Sequence, residues 1–538
     1  MFSPLFDGPG PWPTFVKRKD NVNLPLLEQR SKYLKEQLLF ENSLISYQTL
    51  NTLSPSIASS VAAAGGGGPA PGGGGPVPNP NFPLDNTSIV TAVALYFSDQ
   101  AAAEAQYGLL NEWNTTGVTD MNRLFSTYLK PQAEGFNEDI SGWDVSNVTD
   151  MTYMFYQQYD FNQPLGAWDV SSVEIMTTMF YNATSFNQDL SGWNLSSATN
   201  LSQLFFGASA YNNGGQALTW TMPPVDQANL SSMFINANAF NQDCSSWVVG
   251  GNCSNIFYNA NSFNNGGQPL TWDTSNVTSM ESLFNNTSFN QNISTWDVSS
   301  VTNMRTMFAA TNFNQDISGW NVSSVTSMNQ MFSGASSFNQ NIGGWNVSNV
   351  EGMFAMFQNA AAFNQDVSSW DMEDTQVNSM FEGATAFNNG GQALSWNLSK
   401  ATLSSSNLTK VFKNATSFNQ DVSSWDVVNY SGFDEAFNGA TSFNQDISGW
   451  DVRNAGFRSN PFLPKFTFQN IIANSGMSTA NYDALLIGWS ALTFANTAAP
   501  NIELGAGTIQ YSAGAAATAR GVLAGAPNNF TITDGGQV

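Results

Sequence analysis

Apolar residues recur along this chain in a fixed order. In FNQDISGWNVSSVTSMNQMF (313–332) they fall at Phe313, Ile317, Trp320, Val322, Val325, Met328, Met331 and Phe332, with Ala335 and Phe338 following. Trp320 and Val322 are two apart, the period of a strand, which puts Asn321 on the opposite face. From Val325 onward the spacing becomes three and four, the period of a helix, and Ser323 or Ser324 stands where an N-cap is wanted. Each copy is therefore predicted to be a short strand, a cap, a short helix and a return loop.

The same pattern opens on Phe-Asn, once Tyr-Asn, at Phe136, Phe161, Phe186, Tyr211, Phe240, Phe263, Phe289, Phe313, Phe338, Phe363, Phe387, Phe418 and Phe443, after a truncated first turn at 109–125. The copies at Tyr211, Phe263 and Phe387 carry NNGGQ(A/P)L, which lengthens the interval from this residue to Trp from seven to nine. No single copy can bury its apolar face alone, whereas stacked neighbours bury it continuously. The expectation is an α/β solenoid of about fourteen turns, with parallel strands on one side and helices on the other. At about 4.8 Å per strand it would be about 65 Å long. The Asn after each opening residue is expected to form an amide ladder that satisfies backbone groups at the bends.

The flanks read differently. Residues 1–61 form an N-terminal segment with a predicted helix over 24–53, in which Tyr33, Phe40 and Tyr47 recur at seven with Leu44 and Leu50 on or near that face. A coiled coil, giving a homo-oligomer such as a trimer, and a partner-docking helix both fit this spacing. Residues 62–83 are too rich in Gly and Pro to build a core and read as a linker. Residues 84–108 read as an N-terminal cap with one amphipathic helix over 86–107, residues 109–457 as the repeats, and residues 458–538 as a C-terminal cap.

Fourteen of the sixteen Trp lie between Trp113 and Trp450 at equivalent positions. The parity they share with the following apolar residue makes them a stacked interior, against the alternative of an exposed platform for sugar rings. The residue after Trp faces outward: Asp144, Asp169, Asn194, Asp273, Asp297, Asn321, Asn346, Asp371, Asn397, Asp426 and Asp451. Neighbouring carboxylates in this row would stand about 5 Å apart, a separation that suits a retaining glycosidase. Stacking gives any two like positions that distance, however, so a solvated polar face or a ligand-contact face explains the row as well.

Composition narrows the chemistry. The chain has no His, which removes His-based triads and HExxH zinc sites. No phosphate-cradling or dinucleotide motif stands in a strand–helix context, and neither a cofactor nor a metal site is expected. Residues 1–50 hold six Lys/Arg and five Asp/Glu, leaving ten against 35 and a net charge of −25 on the rest. Such a body repels nucleic acid and anionic lipid. No stretch is long and apolar enough for membrane insertion, and the N-terminus does not read as a secretion signal. Cys244 occupies an Ile/Val position and reads as a buried thiol, with a bridge to Cys253 left open.

The string FNQDISxWDVSxVTxM…MFxxAxxFNQ resembles the repeats of BspA-like leucine-rich-repeat surface proteins of bacteria, over residues 109–457. The resemblance implies a leucine-rich-repeat-like solenoid and a role in adhesion or protein interaction, and it carries no catalytic residues. Residues 1–61 and the Gly/Pro linker do not resemble that family. An adhesive array without a recognisable export route fits a virus particle. In that reading the protein is a non-enzymatic phage fibre or capsid appendage, docked to a virion structural protein through residues 1–61. Its solenoid would reach a host surface glycan or protein. A bacterial cell-surface adhesin is the alternative, and a glycan-degrading spike the third.

Overall fold

The computed structural model describes residues 83–127, 130–224, 228–373, 375–399, 407–455, 468–494 and 502–538. The anchor candidates Tyr33, Phe40, Leu44, Tyr47 and Leu50, the helix expected over 24–53 and nearly all of the linker lie outside the described residues. Helices α1 (Asn86–Ser98) and α2 (Gln100–Tyr107) precede the repeats. After them come α3 (Thr479–Ser490), β3 (Glu503–Gly505), α4 (Ala515–Ala524) and β4 (Thr531–Thr533), with β3 and β4 paired in parallel. Between these flanks most of the backbone is turn and irregular structure, apart from β1 (Gly251–Asn252) and β2 (Val277–Ser279). The molecule is a repeat protein of helices, short strands and turns.

The helix expected in each copy is not there. In the copy opening at Phe313, Gln330 and Gly334 have φ of 57° and 71°, the left-handed region, which no α-helix tolerates. Alternate N–H groups reach the next copy: Met328 N to Gly352 O at 2.8 Å, Gln330 N to Phe354 O at 2.8 Å and Phe332 N to Met356 O at 2.9 Å. The intervening ones close turns of three, Met331 N to Met328 O at 3.1 Å and Ser333 N to Gln330 O at 3.1 Å. Consecutive turns with a left-handed residue every fourth position give the same three-and-four apolar spacing as a helix. The second left-handed position is most often Asn or Gly, as at Asn182, Gly207, Asn236, Asn259, Asn286, Asn359, Gly383, Asn414 and Gly439, the residues for which that conformation costs least.

The expected strand is also displaced. Parallel bridges join one residue per copy, Asp120–Asp150–Ile175–Asn200–Asn229 and Ser279–Asn303–Ser327–Gly352–Gln376, at the third position of Val-Thr-x-Met, whereas at Trp-x-Val a single bridge, Asn194–Thr221, forms among the described residues. The residue after Trp caps a turn, as described below, and no continuous strand runs through it.

The interior follows the periodicity closely. All fourteen repeat Trp are at most 4% exposed. In every full copy the opening aromatic ring stacks on the Phe of the preceding turn run, from Phe125–Phe136 to Phe437–Phe443, with centroids 3.7–4.2 Å apart and planes within 15°. Each of thirteen indoles, Trp143 through Trp450, donates its Nε1–H to a carbonyl two or three residues before the Trp of the preceding copy, at 2.7–3.3 Å. A buried indole has one donor that must be satisfied. Here that donor also ties one copy to the next.

The amide ladder forms as expected. The Oδ1 of each opening-pair Asn accepts the backbone N–H of its equivalent in the next copy, through twelve steps from Asn137–Asn162 to Asn419–Asn444, at 2.7–2.9 Å. The following Gln adds a second tie in seven copies, to the backbone oxygen in six, as Gln340 Nε2 does to Asn314 O at 2.9 Å, and to Asn290 Oδ1 alone for Gln315. Asn444 closes the series by accepting from Ser478 N at 2.8 Å and Asn481 Nδ2 at 2.9 Å, so the C-terminal residues continue the pattern. The NNGG insertions leave it intact. Buried Asn213, Asn265 and Asn389 accept from the backbone of the preceding copy while two left-handed glycines absorb the extra length.

At the N-terminal end, the single helix expected over 86–107 is broken at Asp99, whose carboxylate caps α2 through Ala102 N at 3.0 Å. Asn86 accepts from Thr119 N and Asp120 N, fixing α1 to the first turn. Phe97 meets Phe125 and Phe136 edge-on and Tyr96 meets Trp113 likewise, which ends the face-to-face columns.

Replacing Asn314 by Ala removes the acceptor of Asn339 N and one of the two acceptors of Gln340 Nε2 and is expected to cost about 1–3 kcal/mol, while Asn314→Asp, which keeps the acceptor, costs less. Urea unfolding of the two variants checks this. In a chain carrying Trp12→Phe, native fluorescence should resist iodide, and free quenching of most indoles would contradict the buried columns.

Candidate functional site

The eleven residues after Trp were the candidate ligand row. Ten are exposed and Asp451 is half-buried, so the sequence parity is right. Their first role is local. In all eleven the side-chain Oδ1 accepts the backbone N–H two residues on, at 2.9–3.3 Å: Ser146 on Asp144, Ser171 on Asp169, Ser323 on Asn321, Arg453 on Asp451, and likewise in between. This Asx turn is made equally well by Asp and Asn, which explains why the two interchange freely along the row. Charge is incidental to it.

A second row of the same kind escaped the sequence reading. Asp139, Asp189, Asp243, Asn292, Asp316, Asn341, Asp366, Asp421 and Asp446 each accept from the backbone N two residues on, at 2.8–3.2 Å. The signal was present: in most copies Asp or Asn is followed two places later by Ser, twice per copy, as in DIS and DVS.

The electrostatics follow from these turns. Hydrogen bonds from the Ser hydroxyl and backbone hold Asp144, Asp169, Asp273 and Asp297 below the usual carboxylate range, and the Arg453 side chain does the same for Asp451. Asp169 raises Asp144 slightly by like charge, but this effect is the smallest of those acting on it. A glycosidase pair needs one carboxyl held protonated near neutral pH. These five are pushed in the other direction.

Groups with strongly shifted titration lie elsewhere and apart. Lys130 is buried, donates Nζ to Leu124 O at 2.9 Å, and is pulled down to about 8 by desolvation. Near the C-terminus Arg520 pairs with Asp534 at 2.7 Å, and Tyr482 donates to the same carboxylate at 3.0 Å. Cys244 and Cys253 are both buried thiols that form no disulfide, Cys244 in the Ile/Val position that implied its burial, and burial pushes the Cys244 thiol up. Among the described residues no group of three or more Cys, Asp or Glu is placed to hold a metal ion. No helix among them is long and apolar enough to cross a membrane.

A stack of copies tied edge to edge, with its polar rows turned into local caps, defines a repeat protein. The model of the family described as Mycoplasma protein of unknown function, DUF285, matches the chain at residues 91–220, 218–288, 251–370, 280–396 and 391–481. The chain belongs to this family. No curated protein matches it.

Because Asp144, Asp169, Asp273, Asp297 and Asp451 titrate below their unfolded values, their contribution is complete above about pH 4 and is lost as pH falls through the folded values. Thermal unfolding is therefore expected to be level from neutral pH to about pH 5 and to weaken below about pH 4. Combining Asp144→Asn, Asp169→Asn, Asp273→Asn and Asp297→Asn should lower the neutral midpoint toward the acid one and so flatten the acid limb, whereas Asn321→Ala should cost about 0.5–1 kcal/mol at either pH.

Proposed function

We propose that this protein is a non-enzymatic adhesion protein whose BspA-like, leucine-rich-repeat-like solenoid is displayed on the surface of a virus particle, as a phage fibre or capsid appendage. Residues 1–61 dock it to a virion structural protein, the Gly/Pro segment gives reach, and the repeats contact a host surface glycan or protein. The observation that carries the non-enzymatic part is the Asx-turn role of the outward row. The residues best spaced for paired-carboxylate chemistry are turn-makers held ionised, and Asn replaces Asp among them. Copies tied edge to edge also suit a rigid display element, on which many weak contacts multiply with copy number.

A second reading, a bacterial cell-surface adhesin, is favoured by the family description, which names a bacterium. Peptide mass spectrometry of purified virus particles separates the two. Recovery of repeat peptides in stoichiometric amount supports the virion reading, and recovery only from bacterial surface fractions supports the other. Release of soluble sugar from host glycan by the purified chain, lost in the four-fold Asp→Asn variant, would overturn the non-enzymatic reading.

A further inference from the structure

At its two outermost levels among the described residues, the backbone ladder is finished by side chains. At the first turn, Asn86 Oδ1 accepts from Thr119 N at 2.8 Å and from Asp120 N at 3.1 Å. Between copies a backbone carbonyl fills this place. Thr149 O takes Glu174 N at 2.9 Å and Ile175 N at 3.1 Å, and Glu174 O takes Thr199 N at 2.8 Å and Asn200 N at 3.2 Å. Asn86 therefore imitates the carbonyl that a preceding copy supplies elsewhere. Helix α1 adds bulk to this seal, because Phe97 lies edge-on to Phe125 and Phe136.

The seal on the far side is thinner. Phe468, Leu504 and Ile532 stand in line across three successive levels, joined by a parallel bridge and by the register of β3 with β4. Thr531 N reaches Ile502 O and Ala506 N reaches Thr533 O, both at 2.8 Å, so Thr531 and Thr533 turn their backbone groups to β3. Ile532, between them, turns its N–H and C=O the opposite way, along the outer edge of β4. Such an edge is a template for strand addition, and the flanking Thr531 and Thr533 are exposed. Its carbonyl is already occupied, because Arg520 of α4 donates Nη2 to Ile532 O at 3.3 Å. The guanidinium is anchored in that position. Its Nε meets Asp534 Oδ2 at 2.7 Å, Tyr482 donates to the same oxygen at 3.0 Å, and it lies over the Tyr511 ring at 5.2 Å. The Asp534 side chain is only 3% exposed, which shields the pair from water. We infer that Arg520 is an edge stop. It imitates the N–H of a following strand, as Asn86 imitates the carbonyl of a preceding one, and keeps β4 from pairing with β4 of a second copy. The second copy is the partner because Ile532 carries a donor and an acceptor on the same outward side. Two such edges complement each other antiparallel about a two-fold axis, with Ile532 opposite Ile532 and Thr531 opposite Thr533.

Sedimentation equilibrium of the full chain, over low to high micromolar concentration, compares the parent with the combined variant Arg520→Ala and Asp534→Asn. The Asn keeps an acceptor for Tyr482 and for Gly536 N and leaves no unpaired carboxylate buried. With an unchanged far-UV spectrum, the variant is expected to reach twice the mass of the parent. Its self-affinity should rise at least about tenfold, the worth of one outward carbonyl no longer taken. Adding Thr531→Lys and Thr533→Lys, both at exposed positions, sets like charges opposite one another and should return the parent's mass. A folded variant that keeps the parent's mass at every concentration overturns the inference. So does association that survives the two lysines, which would run through other residues. Should the combined variant lose its fold, Arg520→Lys decides, since it keeps a cation beside Asp534 but lacks the planar fork that also reaches Ile532 O. It must show the same gain in mass, and the parent's mass there overturns the inference as well. The edge stop does not depend on the virion reading and would survive its failure.

Discussion

Backbone amides that are neither in a helix nor in a continuous sheet still need partners once buried. In this chain that demand is met across copies: alternate N–H groups of each turn run reach the next copy, every opening Asn lends its amide oxygen to the following one, and every repeat indole from Trp143 to Trp450 donates to the preceding one. The turn run, the amide ladder and the indole ladder use different residues of each copy. Each copy is thereby tied to its neighbours at several points along its length, and the aromatic rings are held in register. The columns of Phe and Trp are as much a result of this clamping as a cause of it.

The sequence made the interior and the period plain because a single dominant interaction, burial, controls them. Phe313, Ile317, Trp320 and Phe332 had to be inside whatever the backbone did, and the Asn after each Phe was unexplained by any other role. Local backbone conformation was less legible. Val325, Met328, Met331 and Phe332 have helical spacing, yet the residues between them, such as Gln330 and Gly334, adopt left-handed angles. A periodicity argument sees only where side chains point. The recurrent Asn or Gly at the second left-handed site, as in Asn359 and Gly383, was the available warning, since neither favours a helix interior.

The outward row illustrates a different gap. Exposure and alternation read Asp273 and Asp297 correctly as surface residues, and stacking did bring like residues near one another. What exposure could not reveal was that each carboxylate is already occupied by the amide two residues ahead. The Asp/Asn interchange within the row was the clue, because a catalytic or ion-binding role discriminates between the two and a turn does not. The same logic assigns the second row, Asp139 to Asp446, without further assumption.

The last amide of the ladder, on Asn444, is received by Ser478 and Asn481 in the same geometry that a further copy would supply, and the first turn is sealed by ring edges instead of faces. Neither end is therefore specific to the number of units between them. Recombination between near-identical coding units could lengthen or shorten the protein by whole units while both ends still fitted. Length would then be an evolvable quantity, adjustable without redesign of the repeat.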